Sequence, residues 1–242
     1  MLNICLYLTS EINNMRKTLL GFIAIGLFVF VGCKKDNESS NQLTSNDKPI
    51  DADGNVYKSV IIGEQEWMAE NLRTTKYSDG TVIPNVESNT QWENLHTGAW
   101  SQYENDSQYD SIYGKLYNFY AVNKGNLCPT GWHVPSDEEW IELTDFLATN
   151  GHSGSEALAL KSTSGWIDDG NGTDDYGWNG LPGGYRDIEG PFSDVGESGN
   201  WWSSSQEDGF NAWYRGLYNY DDKVDIYGCV KQYGFSVRCV RD

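Results

Sequence analysis

The chain has 242 residues, 38% hydrophobic and 21% charged, with a formal net charge of -18. That is too apolar for a disordered acidic chain and too polar for a protein of many membrane spans. The charge argues against a nucleic-acid backbone as the main partner, because phosphates are bound by clustered Lys and Arg.

The longest apolar run, residues 19–31, follows Arg16 and Lys17. It is shorter than the roughly 20 residues of a membrane-spanning helix. A basic flank, a short apolar core and small residues after it predict a secretory signal over 1–32, with Met15 as the expected start. The run ends Phe30-Val31-Gly32-Cys33, which resembles a bacterial lipobox. That resemblance implies that Cys33 is lipidated, and that the membrane is a partner through the anchor, because each buried CH₂ of an acyl chain contributes ~0.8 kcal/mol. The expected address is the outer membrane, with the protein exposed at the cell surface. Residues 33–50 are rich in Ser, Asn, Asp and Lys and have almost nothing to bury, so they read as a tether.

Residues 51–242 read as one domain. Residues 56–62 predict a strand, Gly63-Glu64-Gln65 a turn and 66–69 the returning strand of a hairpin. Asp53-Gly54 belongs to a turn, since the twelve-residue calcium loop with its closing Glu is absent. Tyr113, Leu116, Tyr117 and Tyr120 fall at helical spacing and predict a helix over 113–122. Ser136 with Glu139 forms a capping box for a second helix. Its stripe is Trp140, Leu143 and Leu147, and Gly151 stops it. A short third helix is expected over 155–161. Beyond Gly165 the chain is Gly, Asp and Trp with short β segments. Two main helices followed by a loop-rich antiparallel β half predict an α+β fold.

Outside the N-terminal region the cysteines are Cys128, Cys229 and Cys239, and export permits a disulfide among them. Zinc is not expected: no Cys-x-x-Cys occurs, and His96, His133 and His152 lack metal spacing. No Gly-x-Ser-x-Gly, His-Glu-x-x-His or phosphate loop is present. The chain does not read as an enzyme.

Several ordered motifs carry a more specific likeness. They include Trp67-Met68-Ala69-Glu70-Asn71-Leu72, Cys128-Pro129-Thr130-Gly131-Trp132-His133-Val134-Pro135-Ser136, Leu181-Pro182-Gly183-Gly184-Tyr185-Arg186, Trp201-Trp202-Ser203 and Gly234-Phe235-Ser236-Val237-Arg238-Cys239-Val240. Together they resemble the Fibrobacter succinogenes major paralogous domain, over about residues 51–242. The resemblance implies a C-type-lectin-like superfold and a disulfide between Cys128 and Cys239, and it implies no known reaction.

Calcium is the cofactor to weigh for a lectin-like chain. Asp168, Asp169, Asp174 and Asp175 lie within eight residues and offer hard oxygen ligands. The lectin signatures Glu-Pro-Asn and Gln-Pro-Asp are absent, so a solvated acidic loop is the expectation and no cofactor is required. Trp201 and Trp202 read as core rather than as a sugar platform. Residues 213–234 are dense in Tyr and Asp. The candidate ligand-binding residues are Tyr214, Tyr218, Tyr220, Asp221, Asp222, Asp225 and Tyr227, since Tyr gives large, rigid contact area with a polar tip. An ordinary hairpin whose Tyr residues pack a sheet reads equally well. The Tyr, Asp, Ile, Gly and Cys content also fits the substitutions left by a diversity-generating retroelement in lectin-like lipoproteins, which would make this C-terminal face variable. The functional expectation is a surface binding module for a glycan, protein or cell-surface ligand. A structural envelope lipoprotein packing against a partner is the alternative, and an enzyme comes third.

Overall fold

A computed structural model describes residues 48–241. The expected leader over 1–32, Cys33 and most of the tether lie outside these residues.

The first hairpin forms as its sequence predicts. Strands β1 (Ser59–Ile62) and β2 (Gln65–Met68) pair antiparallel, with Ile62 opposite Gln65. Gly63-Glu64 makes the two-residue turn, and Gly63 takes the positive φ of +67° that such turns demand. The other edge of β2 receives β11 (Val240–Arg241), so that Val240 lies opposite Trp67 and β2 is central in a three-stranded sheet.

The second sheet has eight strands. β3 (Trp100–Ser101) pairs with β4 (Leu116–Asn118), and β4 with β10 (Gly234–Phe235). Next comes β5 (Gly183–Arg186), which carries β6 (Phe192–Val195) and runs parallel to β7 (Ser198–Gln206). β8 (Asn211–Tyr218) and β9 (Asp225–Val230) complete the antiparallel end. Gly184 has φ +63°, and a Cβ there would stand 2.3 Å from the Ser193 carbonyl oxygen and 2.8 Å from the Val195 nitrogen. Glycine therefore lets β6 lie against β5.

The helices are α1 (Asn89–Glu93), α2 (Asp110–Tyr113), α3 (Phe119–Val122), α4 (Asp137–Leu147) and α5 (Glu156–Leu160). Among the described residues only α4 exceeds five residues. It begins with the expected capping box: Ser136 Oγ accepts from Glu139 N at 3.2 Å, and Glu139 Oε2 accepts from Ser136 N at 2.6 Å. Trp140, Leu143 and Leu147 are its buried stripe. The helix expected over 113–122 does not form, so the architecture is not two main helices. Gly114 ends α2 at φ +73°, packed against the Asn71 and Leu72 backbone, and residues 116–118 become β4. Leu116, Tyr117 and Asn118 are all buried between two partner strands. Strand pairing overrides a pattern that mimics helical spacing. The result is a mixed α+β domain with a loop-rich open sheet.

The core is aromatic. Trp67 meets Trp140 with ring centroids 4.8 Å apart, Trp140 meets Trp178 at 5.9 Å, and Trp178 meets Trp201 at 5.0 Å. Such pairs contribute about 0.5–1.5 kcal/mol each beyond area burial. Trp202 is likewise buried, and its Nε1 donates to the Tyr117 carbonyl at 2.7 Å. The tryptophan pair is core, as expected.

Three arginines, Arg186, Arg215 and Arg238, are completely buried. Arg186 lies over Trp92 at 4.3 Å and donates to the carbonyls of Gly190 at 2.7 Å and Glu87 at 2.9 Å. Burial brings its guanidinium down to about 10. Arg215 meets Asp137 Oδ1 at 2.6 Å, and burial lowers it as well. Cys128 and Cys239 form a disulfide with Cα atoms 6.0 Å apart, across 111 residues of sequence. It ties the segment before α4 to the segment before β11.

Candidate ligand-binding face

The Tyr-rich segment folds as a hairpin at the end of the large sheet. In register, Tyr214 of β8 faces Tyr227 of β9, and their rings are 5.8 Å apart. Tyr214 is 6% exposed and lies 4.6 Å from Phe235. It is withdrawn from the surface and supports the face from below. Its position is explained by strand alternation: Ala212, Tyr214 and Gly216 share the side of β8 that turns toward Phe235. Burial raises its phenol to about 12.

Tyr218 and Tyr220 stack with centroids 5.3 Å apart and an interplanar angle of 22°. Tyr218 is half-buried, whereas Tyr220 is 78% exposed. Tyr227 Oη donates to Asp225 Oδ2 at 3.0 Å. Burial lifts the Asp225 carboxyl above its ordinary value, against the pull of that hydrogen bond. Burial also raises Tyr218, Tyr220 and Tyr227, so all three phenols remain neutral donors at ordinary pH.

The turn between β8 and β9 is fixed from beneath. Lys161 is 1% exposed, and its Nζ donates to the carbonyls of Tyr218 at 3.2 Å and Asp221 at 2.9 Å. The Asp222 carboxylate lies 3.4 Å from the same ammonium, and its carbonyl accepts from Ala157 N at 2.8 Å. Asp221 Oδ1 accepts from Lys223 N at 3.0 Å. Asp221 and Asp222 thus shape the turn that presents Tyr220.

Sequence reasoning missed the other side of this face. Tyr185 of β5 sits 5.9 Å from Tyr233, and Tyr233 lies 5.5 Å from Phe235. Asp194 of β6, at φ +63°, is raised by burial and then by Glu197. Burial, with Asp194 and Asp187 nearby, lifts Tyr185 to about 12. Only the sheet order brings residues 185, 194 and 220 together, and no local pattern signals it.

The acidic loop weighed as a calcium site spreads its carboxylates. Asp174 Oδ1 accepts from Asn179 N at 2.6 Å, while Asp175 Oδ2 accepts from Thr173 Oγ1 at 2.9 Å and lies 3.5 Å from His152 Nε2. Asp168 and Asp169 occupy left-handed turn positions at φ +51° and +59°. Among the described residues, no three His, Cys, Asp or Glu side chains gather as a cation site. No helix of the described residues is long and apolar enough to cross a membrane.

No curated protein and no solved structure matches the chain. The Fibrobacter succinogenes major domain matches residues 60–241, from within β1 to the end of β11. With all five helices and all but the first residue of the two sheets inside that span, the chain belongs to the Fibrobacter succinogenes major domain family.

Proposed function

We propose that this protein is a lipid-anchored binding module of the outer membrane, exposed at the cell surface. On this reading the scaffold is C-type-lectin-like, and the hairpin face recognises a glycan or protein ligand. The single observation that carries it is the stacked Tyr218–Tyr220 pair, with Tyr220 78% exposed on a turn braced by the buried Lys161. Held on a rigid support, the exposed ring of Tyr220 offers a large contact area at low entropy cost, with a polar tip. Neutral phenols and the Asp225 carboxylate supply donors and acceptors beside the rings, the combination that orients hydroxyl-rich or polar ligands.

The test is a glycan array and a cell-surface protein panel probed with the full chain, each with calcium and with chelator. Tyr220→Ala should abolish the strongest signal while the melting temperature stays within a degree or two, since the side chain is exposed. Equal signals from wild type and variant on every ligand would remove the hairpin face from this reading.

A further inference from the structure

A second feature lies apart from the Tyr face and shares no residue with it. The Gly63-Glu64 turn and one side of α4 form an open groove of about 730 Å³. Its floor is apolar, made by Ile62, Phe146 and Ile141, of which Ile141 is 41% exposed. Its rim carries Glu64 from the turn and Glu138, Glu142 and Asp145 from the helix. No Lys, Arg or His lines it.

Glu64 lies off the helix and Glu138 sits in the first turn of α4, where the macrodipole favours an anion, but two placements work against the helix. Glu138 and Glu142 are i, i+4 neighbours, where like charges destabilise. Asp145 stands in the last turn, where the macrodipole disfavours an anion, and no basic residue offsets it there. Elsewhere Glu66, Glu70, Asp110 and Asp137 each meet a cation within the domain, whereas Glu93, Glu104 and Glu189 stand without an ion pair among the described residues but apart from this apolar groove. None of the ion pairs among the described residues involves the four groove carboxylates. An apolar floor under a rim of unneutralised negative charge is complementary to a ligand that is both basic and apolar.

The spacing says what kind. From Glu138 to Asp145 the helix advances about 10 Å at 1.5 Å per residue. One ammonium group reaches one or two of these carboxylates, whereas cations repeated along a chain reach them all. We propose that the groove docks a basic amphipathic segment of a partner protein. A bulky apolar side chain sits over Ile141 and Phe146, and flanking Lys or Arg residues meet the rim.

Fluorescence anisotropy of the full chain tests this with a labelled peptide that repeats Leu and Lys at helical spacing. The controls are a peptide of equal charge with Ser for Leu, and spermine as a competitor. At about 0.15 M salt, where long-range attraction is screened, the Leu-Lys peptide should bind at least ~10-fold more tightly than the Ser peptide. Glu138→Gln with Glu142→Gln and Asp145→Asn should weaken it ~10-fold or more. The triple change Glu93→Gln, Glu104→Gln and Glu189→Gln removes equal charge from other exposed positions and should alter it less than ~2-fold. Ile141→Ser, at an exposed position, should weaken the Leu-Lys peptide and leave the Ser peptide unchanged. Equal loss in both triple variants, equal binding of both peptides, or full displacement by spermine at matched charge would overturn the proposal.

Discussion

The guanidinium of Arg238 and the side-chain carbonyl of Asn71 are joined by two hydrogen bonds, 3.1 Å from Nε and 2.6 Å from Nη2, across 167 residues of sequence. The same oxygen accepts from Trp201 Nε1 at 2.8 Å, and Asn71 Nδ2 donates to the Tyr113 carbonyl at 2.8 Å. The guanidinium also stacks on Trp178 at 3.9 Å, and burial brings it down to about 9. Asn71→Ala removes acceptors from a buried cation that keeps the Trp178 and Asn179 carbonyls, and should cost about 1.5–3 kcal/mol. The check is urea denaturation, read as a lower midpoint with an unchanged slope.

The Cys128–Cys239 bond closes 111 residues. In the chain-entropy account a loop of about this size is worth about 4–5 kcal/mol. Replacing both cysteines by Ala should lower the denaturation midpoint accordingly. Adding reductant should then have less effect on the variant than on the wild type.

Asp53 makes the acid response testable. Burial alone would raise its carboxyl, but Thr75 N at 2.5 Å, Thr75 Oγ1 at 2.9 Å and Lys76 Nζ at 3.0 Å hold it at about 2. A carboxyl depressed on folding adds stability that is present above its unfolded value and lost as pH falls through the folded one. The loss should therefore run from about pH 4 down to about pH 2. Thermal melts of Asp53→Asn should show a flatter decline in that window than the wild type. The difference is small because the site is partly exposed.

Gly184→Ala should destabilise by about 1–3 kcal/mol, from its left-handed backbone and the Cβ clash with the Ser193 carbonyl. The strands it holds together, β5 and β6, should lose amide-exchange protection first.

The proposed anchor is checked separately. Metabolic labelling with a palmitate analogue should mark the wild type and not Cys33→Ser. Equal labelling of both would rule out Cys33 as the lipid site.

Legibility followed the range of the interactions. The capping box at Ser136 and the Gly63-Glu64 turn are decided within a few residues, and both could be read directly. The false helix over 113–122 came from a local pattern whose outcome is set by β3 and β10, distant strands that claim Tyr117 from both sides. The buried arginines were invisible for the same reason. Nothing near Arg238 in sequence announces that Asn71 and the Trp178 carbonyl await it. Of the candidate face, the hairpin half was readable as one of two alternatives. Tyr185 and Asp194 were not, because β5 and β6 join that face only through the sheet.

β10 lies between β4 and β5 in the large sheet, β11 lies beside β2 in the small one, and Cys239 sits between them. A ribosome therefore delivers nearly the whole domain before either sheet can be finished. High contact order of this kind slows folding, since long loops must close before non-local pairing rewards them. A product terminated before Gly234 would keep its local hairpins and α4, yet display the open edges of β2, β4 and β5 to other chains. Premature termination should yield aggregates and protease substrates rather than a weakened version of the same fold.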